Sequence, residues 1–209
     1  MLSRHLVIFA RAPRLGTVKR RLARDVGALA ACRFHRRTTA DLTRRLSRDP
    51  RWHTWLAITP DRDLAAWRRL WPGDYGLLAQ GTGDLGARMG RVFARFSPGP
   101  VVIVGSDIPG IRRRHIAAAF DRLGGEDWVL GPADDGGYWL IGARRRPRLV
   151  LPFRGVAWGG AEVLSRTVAN LAGRRVAYLE TLIDIDTGKD LARFRNQIDI
   201  DTGKDLVRF

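Results

Sequence analysis

Seven short apolar runs, most of them rich in β-branched or aromatic residues, recur along this chain, separated by stretches whose apolar residues repeat at helical spacing. No other feature restricts the fold as tightly. A strand that must be followed by a helix before the next strand is confined to βαβ units and a largely parallel sheet. Strands are predicted over 5–10, 53–58, 76–79, 101–105, 127–131, 137–142 and 175–179. In 84–96, Leu85, Met89, Val92, Phe93 and Phe96 share one helical face, as do Ile116, Phe120 and Leu123 in 112–123. The segment 18–47 is helical in composition, as one long helix or two, and another helix is placed at 161–171. The run 137–142 follows its predecessor too closely for a helical crossover and is expected as an antiparallel insertion. The reading is therefore α/β: a Rossmann-like, mostly parallel mixed sheet with helices on both faces.

At 209 residues and 45% hydrophobic content, one sizeable core is expected. No apolar run approaches the ~20 residues that span a bilayer. Residues 1–5 lead straight into Leu6-Val7-Ile8-Phe9-Ala10 with no secretory pattern, so a cytoplasmic location is expected. Cys32 is the lone cysteine, lies in a helical stretch and reads as a packing residue. The net charge of +16 rests on arginine, for lysine occurs only at Lys19, Lys189 and Lys204. Most of that charge reads as solvated surface; the alternative is attraction to anions. The runs Arg112-Arg113-Arg114-His115 and Arg144-Arg145-Arg146 lack interleaved aromatics, so no specific nucleic-acid partner is expected. His5, His35, His53 and His115 show no metal spacing and read as surface or core.

Chemistry concentrates in four places. GSDIPG at 105–110 and GPADDGGYWLIG at 131–142 each follow an apolar run. Carboxylates just past the C-terminal ends of buried parallel strands sit where open α/β sheets bind ligands, which brings Asp107, Asp134 and Asp135 to one crevice. A hard divalent cation with a phosphorylated ligand is the simplest reason for acidic residues there in so basic a chain. The loop from Phe9 to Leu22 passes through Pro13 and Gly16 into Lys19-Arg20-Arg21, cations at a helix start, where an anion would stabilise them. Gln80 to Met89 supplies Gly81, Gly83 and Gly86, with Asp84 as helix cap and Arg88 one turn in; it reads as a phosphate-approaching loop or as an ordinary glycine-rich turn. Neither loop is a P-loop or a GxGxxG fingerprint. Trp158, in a loop before a helix, is a candidate for the acceptor side.

IDIDTGKDLARF at 183–194 returns as IDIDTGKDLVRF at 198–209. Each copy reads as a strand end followed by a helix start, with Thr187 as N-cap and Asp190 approximating a capping box. Only one copy can occupy a given site in one fold, so residues 1–194 are expected to form the domain and 195–209 a surplus tail.

The order F-A-[KR]-x-P-x-x-G-x-V-K-x-R-L, GDLG-x-RM, GSD-x-P, GPA-x-DGGY-x-L-I-G, V-x-W and D-x-DT-x-x-DL resembles an uncharacterised bacterial transferase family of the DUF2064 type. That family carries the glycosyltransferase A (GT-A), nucleotide-diphospho-sugar transferase fold; the likeness spans residues 5 to about 194 and extends distantly to 2-phospholactate and molybdopterin guanylyltransferases. Arg11 stands where lysine is usual, Arg20 where threonine is, and Gly159-Gly160 replace Ser-Thr, removing two hydroxyls from the acceptor side. The resemblance implies that Asp107 binds metal, Mg²⁺ or Mn²⁺. It implies that Asp135, Gly136 and Gly137 close over the transferred group, and that Lys19 and Arg21 are the basic positions of the first loop. Together the readings give a metal-assisted transferase using a nucleotide-activated donor and an unidentified acceptor. Asp135, Asp134 and Lys19 are its catalytic candidates. Arg11, Gly16, Lys19, Arg21, Gly83, Asp84, Arg88 and Ser106 are candidates for the nucleotide and its phosphates, and Gly136, Gly137, Tyr138 and Trp158 for donor and acceptor. Glycosyl transfer is placed first. The basic first loop favours nucleotidyl transfer as the alternative, and a non-catalytic nucleotide- or RNA-binding module is the third reading.

Overall fold

A computed structural model describes residues 2–67, 70–71, 73–146 and 149–202. Its strands are β1 (His5–Arg11), β2 (His53–Thr59), β3 (Gly76–Ala79), β4 (Gly99–Gly105), β5 (Trp128–Pro132), β6 (Tyr138–Arg145) and β7 (Val176–Tyr178). All seven runs expected as strands are strands. They form one sheet in the order β3-β2-β1-β4-β6-β5-β7. β1 is parallel to both its neighbours, with Ile8 opposite Leu56 and Val104, and β6 alone runs antiparallel, with Ile141 opposite Ile103 and Leu130. The expected insertion is there, and the turn 133–137 that makes it possible carries Asp134 and Asp135.

The helices are α1 (Arg20–Val26), α2 (Ala28–Leu46), α3 (Leu64–Trp67), α4 (Leu85–Arg95), α5 (Arg113–Arg122), α6 (Val163–Ala169) and α7 (Gly188–Thr202). The segment 18–47 thus divides, and Gly27 divides it: at φ 87° it takes a backbone conformation that side chains disfavour and helices cannot contain. Side chains alternate across a strand, so β1 feeds two cores. Leu6, Ile8 and Ala10 pack with Leu42 and Leu46 of α2 and with Ile116 and Phe120 of α5. Val7 and Phe9 pack with Met89, Val92 and Phe93 of α4, and Leu164 and Val168 of α6 join that face. Helices therefore cover both faces, as expected. A third, small cluster joins Leu22, Ala31 and Phe34 to Ile185, Leu191 and Phe194, which docks the first copy of the repeat onto α1 and α2.

The two copies differ in conformation. Ile183-Asp184-Ile185-Asp186-Thr187 is an irregular segment ahead of α7, whereas the same five residues at 198–202 lie within α7. Thr187 caps as expected, its hydroxyl accepting from the Asp190 amide while the Asp190 carboxylate accepts from the Thr187 amide. Residues 203–209, the end of the second copy, lie outside the described residues. Among the described residues no helix is long and apolar enough to cross a membrane.

Candidate functional site

After β1 the chain moves to β2 and β3 on one side, then returns to place β4 on the other. That makes the β1/β4 boundary a topological switch point, the place where open α/β sheets leave a crevice beyond their C-terminal strand ends. A cleft of about 490 Å³ lies there, lined by the ends of β1 (Arg11), β2 (Thr59) and β4 (Gly105, Ser106, Asp107), and by Gln80 just after β3.

One end of the cleft is built on Lys19. Tight turns through Arg14 and Thr17 carry the chain from β1 to this residue, which caps α1 at φ 47°, the lone non-glycine residue with positive φ among those described. Its side chain is 5% exposed, and its ammonium is 3.3 Å from Asp107 Oδ2, 3.3 Å from Asp184 Oδ1 and 3.7 Å from Asp186 Oδ1. The ammonium thus donates to Asp184 and pairs with Asp107 and Asp186. Burial works to lower the pKa of Lys19, but the carboxylates outweigh it and hold it above the ordinary lysine value.

Asp107 is held from two sides. His35, on the buried face of α2, has Nδ1 3.3 Å from Asp107 Oδ1, while its Nε2 is 2.8 Å from the Arg11 carbonyl. A carbonyl can only accept, so Nε2 carries a proton and donates to Arg11. Burial tends to raise the Asp107 pKa, yet Lys19 and then His35 pull its carboxyl well below the usual carboxylate range. The loop bearing it is clasped by arginines: Arg45 donates to the carbonyls of Pro109 and Ile111 (3.2 and 2.6 Å), and Arg112 to that of Pro109 (2.7 Å). Part of the arginine run expected to be solvated is therefore spent on the loop.

Asp184 carries the opposite perturbation. Burial, and the neighbouring charges of Asp107 and Asp135, push its carboxyl up to about 6 despite Lys19. Its amide donates to Asp134 Oδ1 (3.2 Å), and Asp134 Oδ2 accepts from Arg193 (2.9 Å), so both oxygens of Asp134 are engaged. Asp135 accepts from the Gly137 amide through Oδ1 (2.9 Å). Gly136, at φ 88°, packs so closely that a Cβ would lie 2.1 Å from the Ala161 carbonyl oxygen, and its own carbonyl accepts from Leu164 of α6.

The other wall is cationic. Arg11 donates to the Thr17 carbonyl (3.3 Å), and Arg88 donates to the Gln80 side-chain oxygen (3.0 Å) and the Asp84 carbonyl (3.2 Å). These partners carry no charge. Burial first, then the charge of Arg11, lowers the Arg88 pKa. Arg20 and Arg21 line the same cleft, with Arg21 3.0 Å from Asp186 Oδ2.

The structure therefore gathers Arg11, Lys19, Arg21, Arg88, Ser106 and Asp107 of the expected residues around one cavity. Asp134 and Asp135 adjoin it through Asp184. Gly16 (φ 75°) and Gly83 (φ 95°) shape loops at its rim. Asp84 caps α4, accepting from the Ala87 amide (2.7 Å). The Tyr138 hydroxyl is buried against Thr167 of α6, and that burial raises its pKa well above the ordinary tyrosine value. Trp158 packs over Gly86 at the start of α4 and against Phe153 (ring centroids 6.0 Å apart). Sequence reasoning missed His35, Asp184 and Asp186; the D-x-D-T pattern was a signal for the last two.

Among the described residues, no three His, Cys, Asp or Glu side chains converge in ligating geometry. Asp107, Asp184 and Asp186 converge instead on an ammonium. Their chemistry fits a hard cation nonetheless: the donors are carboxylate oxygens, and Lys19 marks a point where positive charge is stabilised.

The profile of a family described as "Uncharacterized protein conserved in bacteria (DUF2064)" matches residues 38–160. No curated protein matches the chain. A solved structure of a candidate nucleotide-diphospho-sugar transferase from Desulfovibrio desulfuricans G20 is 31% identical, with 96% of this chain and 90% of that one covered and a TM-score of 0.87. The fold is also that of a nucleotidyl transferase from Methanothermobacter (15% identity, 96% and 99% covered, TM-score 0.63). It is shared by Rv0371c of Mycobacterium tuberculosis H37Rv, solved in complex with manganese (16% identity, 92% and 97% covered, TM-score 0.51).

Proposed function

This chain belongs to the DUF2064 family, and from the charge arrangement of its cleft we propose that it is a metal-dependent transferase acting on a nucleotide-activated donor. The observation that carries the reading is the separation of like charges on facing walls. On one wall burial and neighbouring carboxylates push Asp184 up to about 6; on the other, burial and then the charge of Arg11 lower Arg88. A divalent cation relieves the first wall and a polyphosphate the second, and a metal–nucleotide complex supplies both.

In this reading Asp107 and Asp184 hold Mg²⁺ or Mn²⁺, which when bound supplies Lewis-acid charge at the donor phosphates. Arg11, Arg20 and Arg88 bind the phosphate oxygens and stabilise the negative charge that grows on the leaving group. Asp135 is the general base for an acceptor hydroxyl, because its Oδ1 is oriented by the Gly137 amide while Asp134 is fully occupied. Gly136 and Gly137 bring backbone close to the transferred group. Glycosyl transfer from a nucleotide-diphospho-sugar is the first reading, supported by the Desulfovibrio relative. Nucleotidyl transfer from a triphosphate is the second, favoured by three arginines in a cleft that a diphosphate would leave partly unneutralised.

Thermal stabilisation by UDP, GDP, dTDP, CTP, GTP, ATP, UDP-glucose and GDP-mannose, each with and without Mn²⁺, tests the proposal. A Mn²⁺-dependent shift by a diphospho-sugar, lost in Asp107→Ala, is the expected result, and binding at a hundred times Kd is worth about 2.7 kcal/mol. A shift confined to triphosphates selects nucleotidyl transfer. Stabilisation that ignores Mn²⁺ and falls steeply with salt would sink the metal-dependent reading in favour of a binding module.

A further inference from the structure

We propose that Lys19 is a built-in counter-ion that competes with the divalent cation for the same carboxylates, so that the site rejects free metal and admits it only as a nucleotide chelate. The inference rests on the metal-dependent reading above and concerns how that site is loaded.

Cations already stand against the carboxylates of the cluster. Asp107, Asp184 and Asp186 face Lys19; the His35 ring contacts Asp107, and Arg21 sets a guanidinium on Asp186. The three carboxylates are thus partly offset by the ammonium and the guanidinium before any metal arrives. The Lys19 ammonium lies within ion-pair distance of all three carboxylates and its side chain is nearly inaccessible, so it is committed to them rather than to a substrate phosphate in this arrangement. Its position is also fixed from behind: the residue sits in the left-handed region at the first turn of α1, with Val18 and Leu22 buried on either side.

An aqueous divalent cation entering this cluster must displace an ammonium from every carboxylate it binds and sit close to that ammonium afterwards. A metal–polyphosphate chelate meets the same resistance but brings phosphate oxygens to Arg11, Arg20 and Arg88, which have no carboxylate in an ion pair with them among the described residues. Those contacts offset the cost, and they also give the displaced Lys19 an anion to turn towards. Lys19 is on this view a positioning residue for the carboxylates and a gate on metal entry.

The test follows free Mn²⁺ by its electron paramagnetic resonance signal, in the absence of nucleotide, as wild-type protein and Lys19→Met are titrated. The wild type is expected to leave millimolar Mn²⁺ free. Lys19→Met is expected to bind it at least roughly tenfold more tightly, since one unit charge at contact distance in a partly buried site is worth more than that. If circular dichroism shows Lys19→Met to be unfolded, Arg21→Gln takes its place. The Arg21 side chain is 67% exposed, and the expected gain is roughly two- to threefold. Equal or weaker Mn²⁺ binding in the folded variant overturns the inference. Repeating the wild-type titration with GTP, CTP, UTP and ATP, each measured against the same nucleotide without protein, separates the two failures. Mn²⁺ retained only with nucleotide keeps the metal-dependent reading even if the variants do not gain; Mn²⁺ retained with none of them removes that reading and the inference together.

Discussion

Replacing Asp184 by Asn should make the protein more stable at neutral pH, and the gain should disappear in acid. In the folded protein burial and neighbouring carboxylates push this carboxyl up to about 6, from an ordinary value of 3.8. The folded state therefore binds more protons than the unfolded chain between those two pH values, and stability falls as pH rises through that window before levelling off above it. Each pH unit of displacement is worth about 1.36 kcal/mol, so ionising Asp184 costs the fold roughly 3 kcal/mol above pH 7. Asn keeps the shape of the protonated acid and cannot ionise. Urea denaturation of wild type and Asp184→Asn at pH 4, 5, 6, 7 and 8 measures the difference directly. The expected difference grows by roughly 2–3 kcal/mol in the variant's favour between pH 4 and pH 8. Asp107 titrates the other way, but its depressed pKa places its window below that of Asp184. A difference that stays flat across this range, or grows towards acid, would refute the reasoning.

Two further substitutions probe the loops that frame the cleft. Asp84→Ala removes the cap on α4 and should cost about 1 kcal/mol in thermal or chemical denaturation; Asp84→Ser should restore most of it. Gly136→Ala must place a side chain at φ 88°, which alone costs about 1–2 kcal/mol, and drives its Cβ into the Ala161 carbonyl. The melting temperature should fall, and hydrogen exchange at the Leu164 amide, bonded to the Gly136 carbonyl, should rise.

How much of this could be read from the sequence depended on the range of the interaction. Strands announced themselves because Val101 to Val104 and Leu6 to Ile8 are buried on both faces and have no reason to include polar residues. The antiparallel β6 was legible from the shortness of the link at 133–137. Asp107 and Lys19 were legible because strand ends and helix starts are local features with known chemistry. Asp184 and Asp186 were marked only by the D-x-D-T pattern, since nothing near them in sequence reveals an ammonium that arrives from another part of the chain. The cap reading of Thr187 and Asp190 was correct and incomplete. His35 gave no local sign either: a histidine on an apolar helix face looks the same whether it ends on a carbonyl alone or also on a carboxylate. Ile-Asp-Ile-Asp-Thr marks the limit most clearly, being irregular where Ile185 finds a core and helical where it recurs at 198–202.

Lys19 and Asp184 are separated by 165 residues, as are Arg21 and Asp186. At roughly 5–20 residues per second of synthesis, these partners leave the ribosome on the order of ten seconds apart. Through that interval β1, β4 and the helices between them are available to fold, and Lys19 has one carboxylate, Asp107, in place of three. The charge balance of the site is thus a late event in the life of each chain. The segment that completes it also docks Ile185 and Leu191 onto α1 and α2, so one stretch of chain finishes both the core and the site.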